Sequence, residues 1–234
     1  MPTIASSTND GYIYRYSTDN WVTQRSSASG MYSRATDVDG MNAIATVVVS
    51  GRGAPAYMIS RAFFQFDTSG ISSEVSSATF NVRGRSATGS TCDIIALKAN
   101  SAAGVLGTGK FSEIEGWDVT SSPVSNTDGS GGGDAESAVT KYSNEFPSGS
   151  WTTSGYNSIT LNAQALSDIE DNNELIICLM EHTHDLKDIT ITGQLSNGVR
   201  FREYSGTSSD PYIDYTLATT TTATDNAVFF GANF

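Results

Sequence analysis

The two histidines of this chain lie together in His182-Thr-His184-Asp185, one residue, Glu181, after the apolar run Leu175-Ile-Ile-Cys-Leu-Met180. On a strand, residues i and i+2 point to one face, and imidazole beside carboxylate suits a borderline cation such as zinc. Spacing names no third ligand. The expectation is therefore a strand that runs out into a polar loop, with no metal and no cofactor. Asp37-Val-Asp-Gly40 opens like a calcium loop, but Met41 and Val48 stand at its fifth and twelfth positions, where oxygen ligands are required. Asp10, Asp19, Asp37, Asp39, Asp128 and Asp134 offer hard oxygens near turns, and they read as solvated loop acids in preference to a structural calcium site. A serine triad would need one of the two histidines beside a strained nucleophile turn, and no G-x-S-x-G occurs. A glycosidase needs two carboxylates at a set separation, which a sequence does not display. No catalytic residue is assigned, and the chain reads as non-enzymatic.

Aromatic residues offer a second kind of chemistry. Trp21, Tyr142, Trp151 and Tyr156 stand near loops, where flat rings stack on sugar faces in carbohydrate-binding modules or cap the ends of a sandwich; packing is the favoured reading. At the C-terminus, Thr219-Thr-Thr-Thr222 precedes Ala227-Val-Phe-Phe-Gly-Ala-Asn-Phe234. The spacer is too polar to join a core, and an apolar cluster of Val228, Phe229, Phe230 and Phe234 calls for a covering surface. These four residues are expected to contact another subunit.

The elements that must position these residues are strands. Hydrophobic residues make up 38% of the 234 residues and charged residues 16%, with Gly, Ser, Thr and Asn abundant, as in short strands joined by turns. A net charge of −12, from 25 acids against 13 Lys and Arg, repels phosphate backbones and anionic lipid, so neither nucleic acid nor membrane is an expected partner. No stretch approaches the roughly 20 apolar residues of a membrane span. The start, Met1-Pro-Thr-Ile-Ala-Ser-Ser-Thr, does not resemble a secretory signal. Cys92 and Cys178, each in an apolar stretch, are expected to be buried free thiols.

Period-two alternation predicts strands at 11–16, 43–49, 57–67, 78–82, 92–99, 157–161, 174–182, 198–204 and 211–217. In the 57–67 segment, Ala62, Phe64 and Phe66 share the core face, while Arg61, Phe63 and Gln65 take the opposite face of a half-buried antiparallel strand. The 174–182 segment is apolar on both faces and should be central. The expected core is Phe64, Phe66, Phe80, Val82, Leu175, Ile177, Leu179, Val199 and Phe201. Asn162 is placed as the N-cap of a two-turn helix carrying Leu166 and Ile169, and Phe111, Ile114 and Trp117 suggest one short helical turn. Residues 121–138 read as a flexible surface loop. The fold class is all-β: an antiparallel β-sandwich, a jelly roll of about nine or ten strands with one or two short helices as first choice and an immunoglobulin-like sandwich as second. Residues 1–217 form the sandwich, and 218–234 form the spacer and tail.

Three blocks in order resemble one family. Ser60-Arg-Ala-Phe-Phe-Gln-Phe-Asp-Thr-Ser-Gly-Ile71 with Ser77-Ala-Thr-Phe-Asn-Val82 is similar to the opening of DNRLRE-type jelly-roll domains. Gly155-Tyr-Asn-Ser-Ile-Thr-Leu-Asn162 resembles their late strand before a short helix, and Phe201-Arg-Glu-Tyr-Ser-Gly-Thr-Ser-Ser-Asp-Pro-Tyr-Ile-Asp-Tyr-Thr216 their closing turn and strand. The resemblance covers about residues 8–217. It implies a jelly roll and, with the terminal Phe-rich string, a likeness to virion structural proteins of tailed bacteriophages. On this resemblance the expected role is a capsid decoration, cement or fibre-associated protein, assembled in the host cytoplasm into a virion, homo-oligomeric and bound to capsid or tail subunits. The alternative is a carbohydrate-binding host-recognition module with a glycan as partner.

Overall fold

Two strands much longer than the rest, Ala56–Asp67 and Val75–Thr88, carry the architecture of this chain. The computed structural model describes residues 1–34, 41–48, 55–88, 93–100, 107–118, 133–189, 191, 195–202 and 206–219. Among these, the strands are β1 (Thr3–Ala5), β2 (Gly11–Ser17), β3 (Tyr32–Arg34), β4 (Met41–Val48), β5 (Ala56–Asp67), β6 (Val75–Thr88), β7 (Asp93–Lys98), β8 (Phe146–Pro147), β9 (Tyr156–Thr160), β10 (Glu174–Glu181), β11 (Leu195–Phe201) and β12 (Tyr212–Leu217). Two short helices accompany them, α1 (Trp21–Arg25) and α2 (Ala163–Asp171). The strands join in the path β1-β12-β6-β11-β4-β5-β10-β7-β8, with β2 and β3 beyond β5 and β9 beyond β6. All their pairings are antiparallel. The sheet curls on itself, giving an all-β sandwich of the jelly-roll kind.

Length lets β5 take three partner strands and lets β6 pair in both layers. β5 is bordered by β2 along one edge and by β4 and then β10 along the other, since Ser60 pairs with both Tyr14 and Ile44 while Ala62 pairs with both Tyr12 and Leu179. β6 pairs with β12 over Val75–Asn81 and with β11 over Gly84–Thr88. Gly198, where β11 lies between β4 and β6, has φ +144°, and a Cβ there would stand 2.3 Å from the Ala43 carbonyl oxygen. Only glycine fits that approach.

The expected core forms as read. In β5 and β10, Phe66 lies opposite Leu175, Phe64 opposite Ile177 and Ala62 opposite Leu179, and all nine named core residues are buried in one cluster. Phe80 of the facing layer meets Phe64 and Phe66 edge-on at 4.9 and 5.7 Å, the geometry ring quadrupoles prefer. α2 closes one end of this core with Ala165 and Ile169, and the Asn162 side chain accepts from the Ala165 N–H at 3.1 Å, as its N-cap position demands.

Two expectations are corrected. β5 is not half-buried: Ile59, Arg61 and Phe63, on the face opposite Phe64, are buried too. They belong to a second apolar layer, where Ile13, Ile95, Leu97, Cys178 and Met180 from the sheet meet Trp21, Phe111, Ile114, Trp117, Ala135, Val139 and Leu186 from the connecting segments. The short helical turn expected near Phe111 is a 3-10 turn at Thr108–Lys110 that Phe111 caps; residues 111–117 follow it as tight turns, and Phe111, Ile114 and Trp117 are all buried. The glycine-rich loop also folds in at its end, since Ala135 is fully buried and its N–H donates to the Leu186 carbonyl; residues 121–132 lie outside the described residues.

Candidate functional site

The second layer is organised by charge. Arg61 sits in the middle of β5, and its guanidinium emerges between Ile59 and Phe63 with no exposed surface. Its Nε donates to Asp185 Oδ2 at 2.8 Å and its Nη2 to Asp185 Oδ1 at 2.7 Å, while Nη1 and Nη2 also donate to the carbonyls of Phe111 and Arg25. The rings of Phe111 and Trp117 lie 4.1 and 4.2 Å from the guanidinium carbon, so the cation is stacked as well as paired. Arg25, at the end of α1 and also fully buried, donates to the carbonyls of Asp185, Leu186 and Gly133. The two arginines thus tie α1, residues 108–118, the 133–139 turn and residues 182–188 onto one sheet face.

Asp185 lies in a π-helical turn, His182–Leu186, closed by the Lys187 N–H donating to the His182 carbonyl at 3.0 Å. Glu181, the last residue of β10, starts it by accepting from the N–H groups of Thr183, His184 and Asp185 at 3.1, 2.7 and 2.8 Å. Burial pushes the Glu181 carboxyl up to about 8; the three donated hydrogen bonds oppose this rise, and the Asp185 charge adds to it. As expected, the strand ends at Glu181 and runs out into a polar turn, so the two histidines do not share a strand face. His184 donates from Nδ1 to the Ile189 carbonyl oxygen and accepts at Nε2 from the Asn197 side-chain amide at 2.8 Å, so both of its nitrogens are engaged. His182 is buried elsewhere, its Nε2 3.5 Å from an oxygen of Glu136 and 3.5 Å from an oxygen of Glu145. Glu136 in turn meets Lys141 at 3.3 Å and Lys187 at 3.2 Å. Burial works to raise the Glu136 carboxyl, but hydrogen bonds from Lys187 and Lys141 outweigh it and hold it down at about 2.

A second polar constellation lines a cleft of about 480 Å³ bounded by Lys98, Glu115, Tyr142, Asn173 and Glu174. Tyr142 donates its hydroxyl to Asp168 of α2 at 2.6 Å, and Lys98 bridges Asp168 and Glu115 at 3.1 and 3.2 Å. Burial raises the Tyr142 phenol above its ordinary value, and the Asp168 hydrogen bond and charge raise it further. Every charged group here already has a protein partner, and the cleft is lined by no Ser, Thr or Cys among the described residues.

Of the rings considered for glycan stacking, three are structural. Trp21 is 4% exposed and donates Nε1 to Asp188, Tyr142 is 1% exposed, and Trp151 is 8% exposed with Phe146 and Phe201 against its edges. Burial in the apolar clusters leaves them no ring face for a sugar. Tyr156 is half-buried at the surface, T-shaped against Tyr212 at 5.0 Å, with its hydroxyl donating to the carbonyls of Ser208 and Asp210. The calcium candidates do not converge among the described residues: Asp10 is buried and accepts from the Gln65 N–H, Asp19 accepts from Ser17 and Gln24, and Asp134 accepts from the Glu136 N–H. Asp37, Asp39, Asp128, Cys92 and the tail residues Val228, Phe229, Phe230 and Phe234 lie outside the described residues.

Glu136 and Glu145 have no sequence signal of the metal or catalytic kind, because they sit in segments without periodicity. Glu181 and Arg61 did carry a hint: an acid ending an apolar strand before a polar turn, and a lone cation inside an apolar run. The chain matches no protein-family model, and no curated protein is significantly similar to it.

Proposed function

We propose that this protein is a non-enzymatic structural component of a phage virion, a capsid decoration or cement protein or a fibre-associated protein, that acts through protein–protein contacts. The observation that carries the reading is the use of the charged groups. Arg25, Arg61, Glu181, His184 and Asp185 are all buried and spent on fixing the connecting segments to the sheet, which suits a rigid block better than a reaction centre. Contact surface is available at the β2–β3 edge, where Tyr14 and Tyr32 stack at 5.0 Å and Tyr16, Met31 and Tyr32 are 48%, 45% and 53% exposed. The apolar sequence Ala227–Phe234 and the resemblance to virion jelly rolls support the same reading. Immunogold electron microscopy of purified particles tests it, with regularly repeated labelling expected on head or tail. Deleting residues 225–234 should leave a folded chain that no longer incorporates or self-associates; equal assembly of the truncated chain would remove the tail from the mechanism.

One observation favours glycan recognition as a second reading. The Tyr156–Tyr212 pair borders a shallow groove of about 350 Å³ lined by Thr3, Thr207, Ser208 and Asp210, where a ring face, hydroxyls and an acid lie side by side. A glycan array showing signal that Tyr212→Ala abolishes would support it.

A further inference from the structure

We propose that Glu136, Glu145 and His182 form a binding site for a divalent cation of the zinc class, which pins residues 133–147 to the end of β10. The fold brings these residues together from three places. β7 lies between β10 and β8, with Ile94 opposite Glu181 on one side and Phe146 on the other, so Glu145 and His182 flank the same strand end. The turn at Ala135–Ala138, anchored by the Ala135 N–H on the Leu186 carbonyl, delivers Glu136 from the other side.

The ligand atoms, one imidazole nitrogen and two carboxylate oxygens, all lie within 4.8 Å of one another. His182 points to what belongs between them. The residue is 3% exposed, and its Nε2 is buried with no hydrogen-bond partner although two carboxylate oxygens stand 3.5 Å away. A buried ring nitrogen left in this state costs free energy, and a cation centred among the three atoms removes that cost. Donors bound at about 2.0–2.2 Å in a tetrahedron stand about 3.4 Å apart, close to the two 3.5 Å edges found here. Calcium asks for six to eight oxygens, and a nitrogen with two oxygens fits zinc, cobalt or manganese better. Glu145 is 48% exposed along its side chain, which leaves the fourth position open to water.

The two lysines set the terms. Lys187 holds Glu136 Oε2 at 3.2 Å and orients the carboxylate, as outer partners of metal ligands do, while Lys141 competes with a cation for Oε1 at 3.3 Å. Lys141 is 41% exposed along its side chain and can turn to solvent.

The full chain, stripped with chelator and dialysed, is titrated with Zn²⁺ by calorimetry and with Co²⁺ by visible absorption. We expect one equivalent bound, tetrahedral cobalt bands, a raised melting temperature with Zn²⁺, and no comparable effect of Ca²⁺ or Mg²⁺. His182→Ala and Glu145→Gln should each weaken binding by more than about tenfold, with Asp19→Asn as an unaffected control. Glu145→Gln changes an exposed side chain and keeps the test valid if His182→Ala does not fold. Absence of Zn²⁺ binding up to millimolar concentration, or undiminished binding by Glu145→Gln, would overturn the proposal.

Discussion

Arg61 and Asp185, 124 residues apart in sequence, meet as a two-pronged pair at 2.8 and 2.7 Å with both side chains fully buried. A pair of this kind does little for net stability compared with well-packed apolar groups, yet removing one partner strands the other charge in the interior. Asp185→Asn or Arg61→Met should therefore cost about 3–5 kcal/mol in urea unfolding. The double variant Arg61→Met with Asp185→Leu should cost less than the sum of its single changes, because the groups share one network. Strict additivity would mean that the pair is not what joins the turn to the sheet.

Both faces of β5 bury aromatic rings, so both should be sensitive to truncation. Phe66→Ala and Phe63→Ala are each expected to destabilise by about 3–5 kcal/mol, as for other buried aromatics. The informative one is Phe63, which is 5% exposed against Ile59-side neighbours that come from connecting segments. A loss under about 1 kcal/mol at Phe63 would show that this layer packs loosely.

Tyr142→Phe removes the 2.6 Å hydrogen bond to Asp168 while keeping the ring. Asp168 retains Lys98, Gln164 and Asn172, so the loss should be about 1.5–3 kcal/mol, typical of a hydrogen bond to a charged group. Because burial, and after it Asp168, raises the phenol above its ordinary 10.0, the folded protein keeps this proton when the unfolded chain releases it. The contribution is whole below about pH 10 and is lost as pH climbs further. Absorbance titration of wild type and Tyr142→Phe should differ by one phenol that ionises only with unfolding.

Cys178 is fully buried in β10, and burial pushes its thiol up from the ordinary 9.0. In a Cys92→Ser background, the remaining thiol should resist a disulfide reagent in buffer and react at once in denaturant. Rapid native labelling would place a solvent path into the second apolar layer.

Part of this arrangement was legible in the chain because period-two alternation reports a strand's inward face directly. Phe64, Phe66, Phe80, Leu175 and Ile177 fall in one cluster for that reason, and Asn162 caps α2 because the cap is a local hydrogen bond. Alternation does not report what covers the other face. Arg61 and Phe63 read as outward residues, since the segments that bury them, α1, 108–118, 133–139 and 182–188, lie far off in sequence and have no period of their own.

Local pattern in the chain was enough to specify an acidic, antiparallel all-β sandwich, its central core and the helix at its end. Long-range packing set everything else: the second apolar layer, the burial of Trp21, Tyr142 and Trp151, the π-helical turn that separates His182 from His184, and the meeting of His182 with Glu136 and Glu145. The cause is range. Strand faces and caps are fixed by neighbours a few residues away, whereas a buried charge or a ligand cluster is fixed by partners that come close only once the sheet has curled.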